Sequence, residues 1–213
     1  MKTFANFLTM AAVGAFLAGG LPAGATLSNF SGSVSGGYTG GGSGLNQVIP
    51  DNTPAGVAYQ INFNDSLAWS ITAISVTMNI SGGYNGDLYA YLSHGNTLVT
   101  LLNPNPAMSS SGFNSVTLGE TGSAIPTGGS GALTGSYVAY GNLSAFNNTD
   151  PNGAWTLFFA DMSPGDTSTL NSFSLDITAV PEPVNVALAV FGVALAVGGL
   201  VRRFGRTDKR ASI

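Results

Sequence analysis

Apolar and polar side chains alternate through most of the middle of this sequence. Val57, Tyr59, Ile61 and Phe63 share one parity, and so do Ile74, Val76, Met78 and Ile80 against Ser75, Thr77 and Asn79. Successive side chains of a strand point to opposite faces, so each segment reads as a strand with one face in a core. Phe173, Leu175 and Ile177 repeat the pattern. Trp155, Leu157 and Phe159 interleave with Thr156, Phe158 and Ala160, which predicts a central strand covered on both faces. Turn chemistry separates these runs, as in Ser81-Gly82-Gly83-Tyr84-Asn85-Gly86 and Ser93-His94-Gly95-Asn96. No stretch between Thr26 and Ala179 keeps an apolar period near 3.6. The expected fold is all-β, an antiparallel β-sandwich with jelly-roll topology as one option.

Two stretches lack that pattern. Ser31–Gly44 is almost entirely Gly and Ser around Tyr38, and is expected to be a flexible leader. Gly119–Ser136 is a polar insertion rich in Gly, Ser and Thr, expected to be a long loop. The sandwich is accordingly assigned to 48–179 and the leader to 26–47. Cysteine is absent, so a hydrophobic core must hold the domain without disulfides.

Charge is distributed unevenly. Every base lies near an end of the chain: Lys2, Arg202, Arg203, Arg206, Lys209 and Arg210. Between Thr26 and Ala179 the acids are Asp51, Asp65, Asp87, Glu120, Asp150, Asp161, Asp166 and Asp176, with no Lys or Arg. Nucleic-acid binding needs clustered bases to displace counterions, so that class is excluded.

Both ends read as export machinery. Residues 1–25 carry Lys2, an apolar run from Phe7 to Leu17 and the small residues Ala23-Gly24-Ala25, the layout of a signal peptide. Near the other end an apolar run from Val184 to Val201 precedes Arg202, Arg203 and Arg206. As a helix it rises roughly 27 Å against a hydrocarbon core of about 30 Å. A single transmembrane helix is expected, its arginines stopping transfer on the cytoplasmic side. Pro181, Glu182 and Pro183, this run and the arginines (180–206, before a tail at 207–213) resemble the PEP-CTERM sorting signal of bacterial exported proteins. That resemblance implies an exosortase-type transpeptidase as partner, transient membrane insertion and cleavage near the tripeptide.

The middle resembles another family. Ile74-Ser75-Val76-Thr77-Met78-Asn79-Ile80, Gly86-Asp87-Leu88-Tyr89-Ala90-Tyr91-Leu92 and Thr97-Leu98-Val99-Thr100-Leu101 are followed by Leu143-Ser144-Ala145-Phe146 and Asn152-Gly153-Ala154-Trp155-Thr156-Leu157. Asp161, Gly165-Asp166 and Leu170-Asn171-Ser172-Phe173-Ser174-Leu175 complete a series similar to the P domain (Homo B) of subtilisin-like proprotein convertases. The resemblance spans about 48–178 and implies a jelly-roll sandwich without protease chemistry. Ser93-His94-Gly95 departs from the Ser-Pro usual in that family.

Candidate chemistry is sparse. His94, the one histidine, lacks a Gly-x-Ser-x-Gly elbow or an orienting carboxylate, and reads as a solvated turn residue. Asp161 and Asp166 are the pair that glycoside hydrolysis would need. Asp87, Asp161 and Asp166 fall at strand-loop junctions, where hard oxygen ligands suit Ca²⁺. Trp155 reads as core. Trp69, Tyr84, Tyr89 and Tyr91 are either core or an exposed aromatic face for sugars. The expected function is a non-catalytic surface or extracellular-matrix protein, structural or adhesive in exopolysaccharide. A carbohydrate- or ligand-binding module, with or without calcium, is the alternative, and a hydrolase ranks behind both.

Overall fold

The computed structural model describes residues 26–31, 33–34, 37–65, 69–181, 188 and 190–198. The strands are β1 (Thr26–Ser31), β2 (Ser33–Val34), β3 (Tyr38–Ile49), β4 (Thr53–Phe63), β5 (Trp69–Gly82), β6 (Leu88–His94), β7 (Thr97–Leu102), β8 (Phe113–Gly119), β9 (Leu133–Val138), β10 (Gly153–Asp161) and β11 (Ser168–Pro181). They form two sheets, ordered β1-β4-β10-β6-β7 and β2-β3-β11-β5-β8-β9. Their facing sides enclose one core. Val57, Tyr59, Ile61 and Phe63 meet Ile74, Val76, Met78 and Ile80 there, with Trp155, Leu157, Phe159, Phe173, Leu175 and Ile177 between them. The period of two therefore placed the core face on each of these strands.

The double-sided pattern of β10 has a physical counterpart. It lies between β4 and β6, and its second face carries a smaller cluster of Ala58, Tyr89, Tyr91, Phe158 and Ala160. Tyr91 stacks on Phe158 with centroids 4.7 Å apart. Pairing is mostly antiparallel, but β1 runs parallel to β4 and β8 parallel to β9. Those parallel pairs sit at sheet edges and are reached by long connections, as parallel pairing demands.

The leader expectation is overturned. Tyr38–Ile49 is a strand inside the six-stranded sheet, paired with β11 from Tyr38↔Ile177 to Ile49↔Ser168. Glycine costs backbone entropy in a strand, yet it also allows close approach. At Gly41 a Cβ would collide with the Phe173 carbonyl oxygen. Tyr38 is buried and anchors the strand: its ring meets Phe63 edge-on at 5.4 Å and its hydroxyl donates to Asp65 Oδ2 at 3.3 Å. The sheets thus begin well before residue 48. The insertion at Gly119–Ser136 is also shorter than expected, because Leu133 already starts β9.

A buried amide ties the β5–β6 turn to the loop that follows β7. Asn85 Nδ2 donates to Ser110 Oγ and to the Gly112 carbonyl, both at 2.8 Å, and its Oδ1 accepts from Gly112 N at 2.7 Å.

At the end of the sheet β11 continues through Val180 to Pro181, opposite Ser70 and Trp69. The sorting segment assigned to 180–206 therefore starts inside a strand. Proline lacks an N–H and suits a strand end. Residues 190–198 are helical, and among the described residues no helix is long and apolar enough to cross a membrane. The remainder of the Val184–Val201 run, the signal peptide at 1–25, Glu182, Pro183, Arg202, Arg203, Arg206 and the tail at 207–213 lie outside the described residues.

Candidate functional site at the acidic end of the sandwich

Three connections converge at one end: the β3–β4 turn with Asp51, the 3₁₀ turn Asn85–Asp87 before β6, and the loop 162–167 after β10. The ladders dictate this. Asp161 pairs with Leu88 on one side and Thr53 on the other, and Met162 N donates to the Asp87 carbonyl at 2.9 Å. The last residue of β10 is thereby set beside both neighbouring turns. The 162–167 loop then folds over them. Gly165 N donates to both oxygens of Asp51 at 3.2 Å, and Ser163 N donates to Asp161 Oδ1 at 3.1 Å.

Asp161 is fully buried, and its Oδ2 has no hydrogen-bond partner. Burial pushes its carboxyl above the usual carboxylate range, against the backbone N–H groups of Ser163 and Asn52, and the nearby charges of Asp87 and Asp51 push it further up. Asp87, half-buried, is raised for the same leading reason. Asp166 and Asp51 add to it, while a hydrogen bond from the Ser163 side chain lowers it. No Lys or Arg occurs between Thr26 and Ala179 to neutralise these acids.

The structure therefore brings Asp87 and Asp161 together, with Asp166 exposed on the covering loop. Among the described residues, no three acidic or histidine side chains are grouped so as to hold a metal ion by themselves. Asp51 also belongs to the cluster. Its signal was the turn Pro50-Asp51-Asn52-Thr53-Pro54, but its approach to Asp161 is tertiary.

Residues 71–177, half of the chain, match the profile of the family described as "Proprotein convertase P-domain". The chain belongs to that family. The match takes in β5 through most of β11, and so includes Asp87, Asp161 and Asp166 but not Asp51. No curated protein matches this P-domain chain. Among solved structures, "Crystal structure of aeromonas sobria serine protease (ASP) and the chaperone (ORF2) complex" is similar, with 14% identity, a TM-score of 0.41, and coverage of 71% of this chain and 27% of that one. This chain thus spans about a quarter of that protein's length.

The other predicted positions of this P domain serve packing. His94, at the far end of β6 from Asp87, is half-buried rather than solvated. It stacks on Trp155 with centroids 4.1 Å apart and planes 5° from parallel. Its Nδ1 lies 3.0 Å from the Ala154 carbonyl oxygen and its Nε2 2.9 Å from that of Asp150. Trp155 is fully buried and donates from Nε1 to the Pro151 carbonyl at 2.8 Å. Trp69, Tyr84, Tyr89 and Tyr91 do not form an exposed aromatic face. Tyr89 and Tyr91 are buried, Tyr84 donates to the Pro106 carbonyl at 2.6 Å, and Trp69 donates to Asp65 Oδ2 at 2.8 Å.

Proposed function

We propose that this chain is a non-catalytic, exported P-domain protein of the cell surface or extracellular matrix, structural or adhesive within exopolysaccharide. In this reading residues 1–25 are removed on export. The segment Pro181-Glu182-Pro183, with the helix and arginines behind it, is the PEP-CTERM handle read by an exosortase-type transpeptidase. The sandwich is taken as a jelly roll.

The observation that carries the reading is the helix at 190–198. Phe191 is 70% exposed, Leu195 71% and Val197 54%, so the helix buries none of its apolar faces against the sandwich. Leaving such side chains in water forgoes about 1.5–3 kcal/mol each, a penalty that lipid removes. Continued as a helix, the Val184–Val201 run rises roughly 27 Å against a hydrocarbon core of about 30 Å, the flanking arginines making up the difference by snorkelling. The non-catalytic part draws support from His94, whose ring nitrogens lie against the main-chain carbonyl oxygens of Ala154 and Asp150.

Intact mass of the protein recovered from its native host, from membrane and medium fractions separately, tests this proposal. A species running from near Thr26 to near Pro181 is expected in the medium or matrix. A chain that keeps 184–213 in every fraction would reduce the tail to a plain anchor and remove the sorting step.

A further inference from the structure

We propose that the end of the sandwich formed by the β3–β4 turn, the Asn85–Asp87 turn and the 162–167 loop binds one Ca²⁺, with the Asp161 and Asp87 carboxylates as direct ligands. Backbone carbonyl oxygens of these turns and water complete the shell, and Asp51 and Asp166 contribute charge from outside it. Such a site involves the folded sandwich alone, whatever the processing of the tail.

Asp161 Oδ2 stands out among the carboxylate oxygens of this end. It belongs to a fully buried side chain and has no hydrogen-bond partner. An uncompensated buried carboxylate is strongly unfavourable, and stable proteins pair such groups with a cation or let them bind a proton. A protonated Asp161 would lose its own charge but would leave Asp87, Asp51 and Asp166 without a counter-ion. Lysine and arginine are absent from the whole span 26–179. A metal cation satisfies both requirements, since it takes the lone pair of Oδ2 and offsets the mutual repulsion of Asp161, Asp87, Asp51 and Asp166.

The donor set selects the ion. Only oxygen is on offer: carboxylates, main-chain carbonyls and water. Zinc favours nitrogen and sulfur, but the chain has no cysteine, and its one histidine is held at the opposite end of β6. Magnesium demands near-ideal octahedral geometry. Calcium accepts 6–8 oxygens in irregular arrangements, so two carboxylates plus carbonyls and water suffice. This is consistent with the lack of any three-carboxylate grouping among the described residues. Gly165 N on Asp51 and Ser163 N on Asp161 close the covering loop over the site.

Calcium titration of the full chain in detergent, after chelator treatment and dialysis, tests the site by calorimetry and by thermal melting. Saturable binding of one Ca²⁺ with a raised melting temperature is expected, in the range of about 10⁻⁴–10⁻³ M usual for extracellular modules. Asp161→Asn keeps the shape and should weaken binding beyond the roughly 10–100-fold typical of partners hydrogen-bonded to metal ligands. In chelator it should melt no lower than the wild type. If Asp161→Asn does not fold, Asp87→Asn is read instead, with weakened binding expected. Absence of saturable binding, a melting shift that NaCl of equal ionic strength reproduces, or a ligand variant that binds as the wild type does would overturn the proposal.

Discussion

Strand β6 connects two ends of the sandwich that treat buried polar groups in opposite ways. At its His94 end the imidazole is stacked on Trp155, both ring nitrogens meet carbonyl oxygens, and the indole N–H meets Pro151. At its Asp87 end the neighbouring Asp161 carboxylate is more deeply enclosed, but one of its oxygens has no partner. The first end faces its ring nitrogens and indole N–H with main-chain oxygens. The second gathers like charges that an isolated domain gains nothing by gathering. Buried polar groups are ordinarily satisfied, and an exception calls for a cause. Comparing the ends separates a structural polar cluster from one arranged for a ligand.

The comparison breaks most readily at Trp155. Trp155→Ala removes a fully buried indole, the face on which His94 rests and the Pro151 hydrogen bond. The expected loss is about 3–5 kcal/mol in urea unfolding, equal with and without calcium. A loss that shrinks markedly when calcium is added would show that the two ends are coupled rather than independent.

Alkali probes the sheet between the ends. Tyr59 and Tyr91 are raised from 10.0 to about 12, both chiefly by burial, and Tyr91 secondarily by Tyr89. Their unfolded counterparts ionise near pH 10. The folded state therefore holds these protons longer than the unfolded chain. Stability is fully present below about pH 10 and is lost as pH rises toward 12, by at most ~3 kcal/mol for each group. Tyrosinate absorbance should rise late for these rings, together with loss of near-UV dichroism. Early ionisation in a still-folded protein would contradict their enclosure.

How much of this could be read from residues alone depends on what carries each feature. Strands β4, β5, β10 and β11 were legible because side-chain alternation is local, and the buried positions fall where that parity puts them. Strand β3 was not. A Gly/Ser run carries no parity, and its pairing with β11 depends on backbone hydrogen bonds and on the missing Cβ of Gly41. The edge strand β9 was hidden for a similar reason, with Gly135 and Ser136 in its middle. At the acidic end, Asp87, Asp161 and Asp166 were visible as junction residues. The turn at Asp51 was not tied to them, because only the β4–β10 and β6–β10 registers bring it alongside. The stacking of His94 was hidden for the same kind of reason, since its partner is sixty-one residues away in sequence.

The smallest effect sharpens the comparison most, because it separates ligand from bystander. Asp166 carries the same charge as Asp161 and acts on Asp87 through space, yet it is exposed. A charge in water is screened within about 10 Å at ordinary ionic strength, so it can attract a cation without holding it. Asp166→Asn should leave the chelator-treated melting temperature unchanged and weaken calcium binding by less than about threefold, a difference that fades as salt is raised. Asp161→Asn should show neither property, since a direct ligand in an enclosed site is not replaced by counterions. If the two variants lose affinity equally and salt abolishes the difference from wild type, the acidic end attracts cations only as a diffuse negative surface. The asymmetry between the two ends of β6 would then be one of charge density, with no site at either.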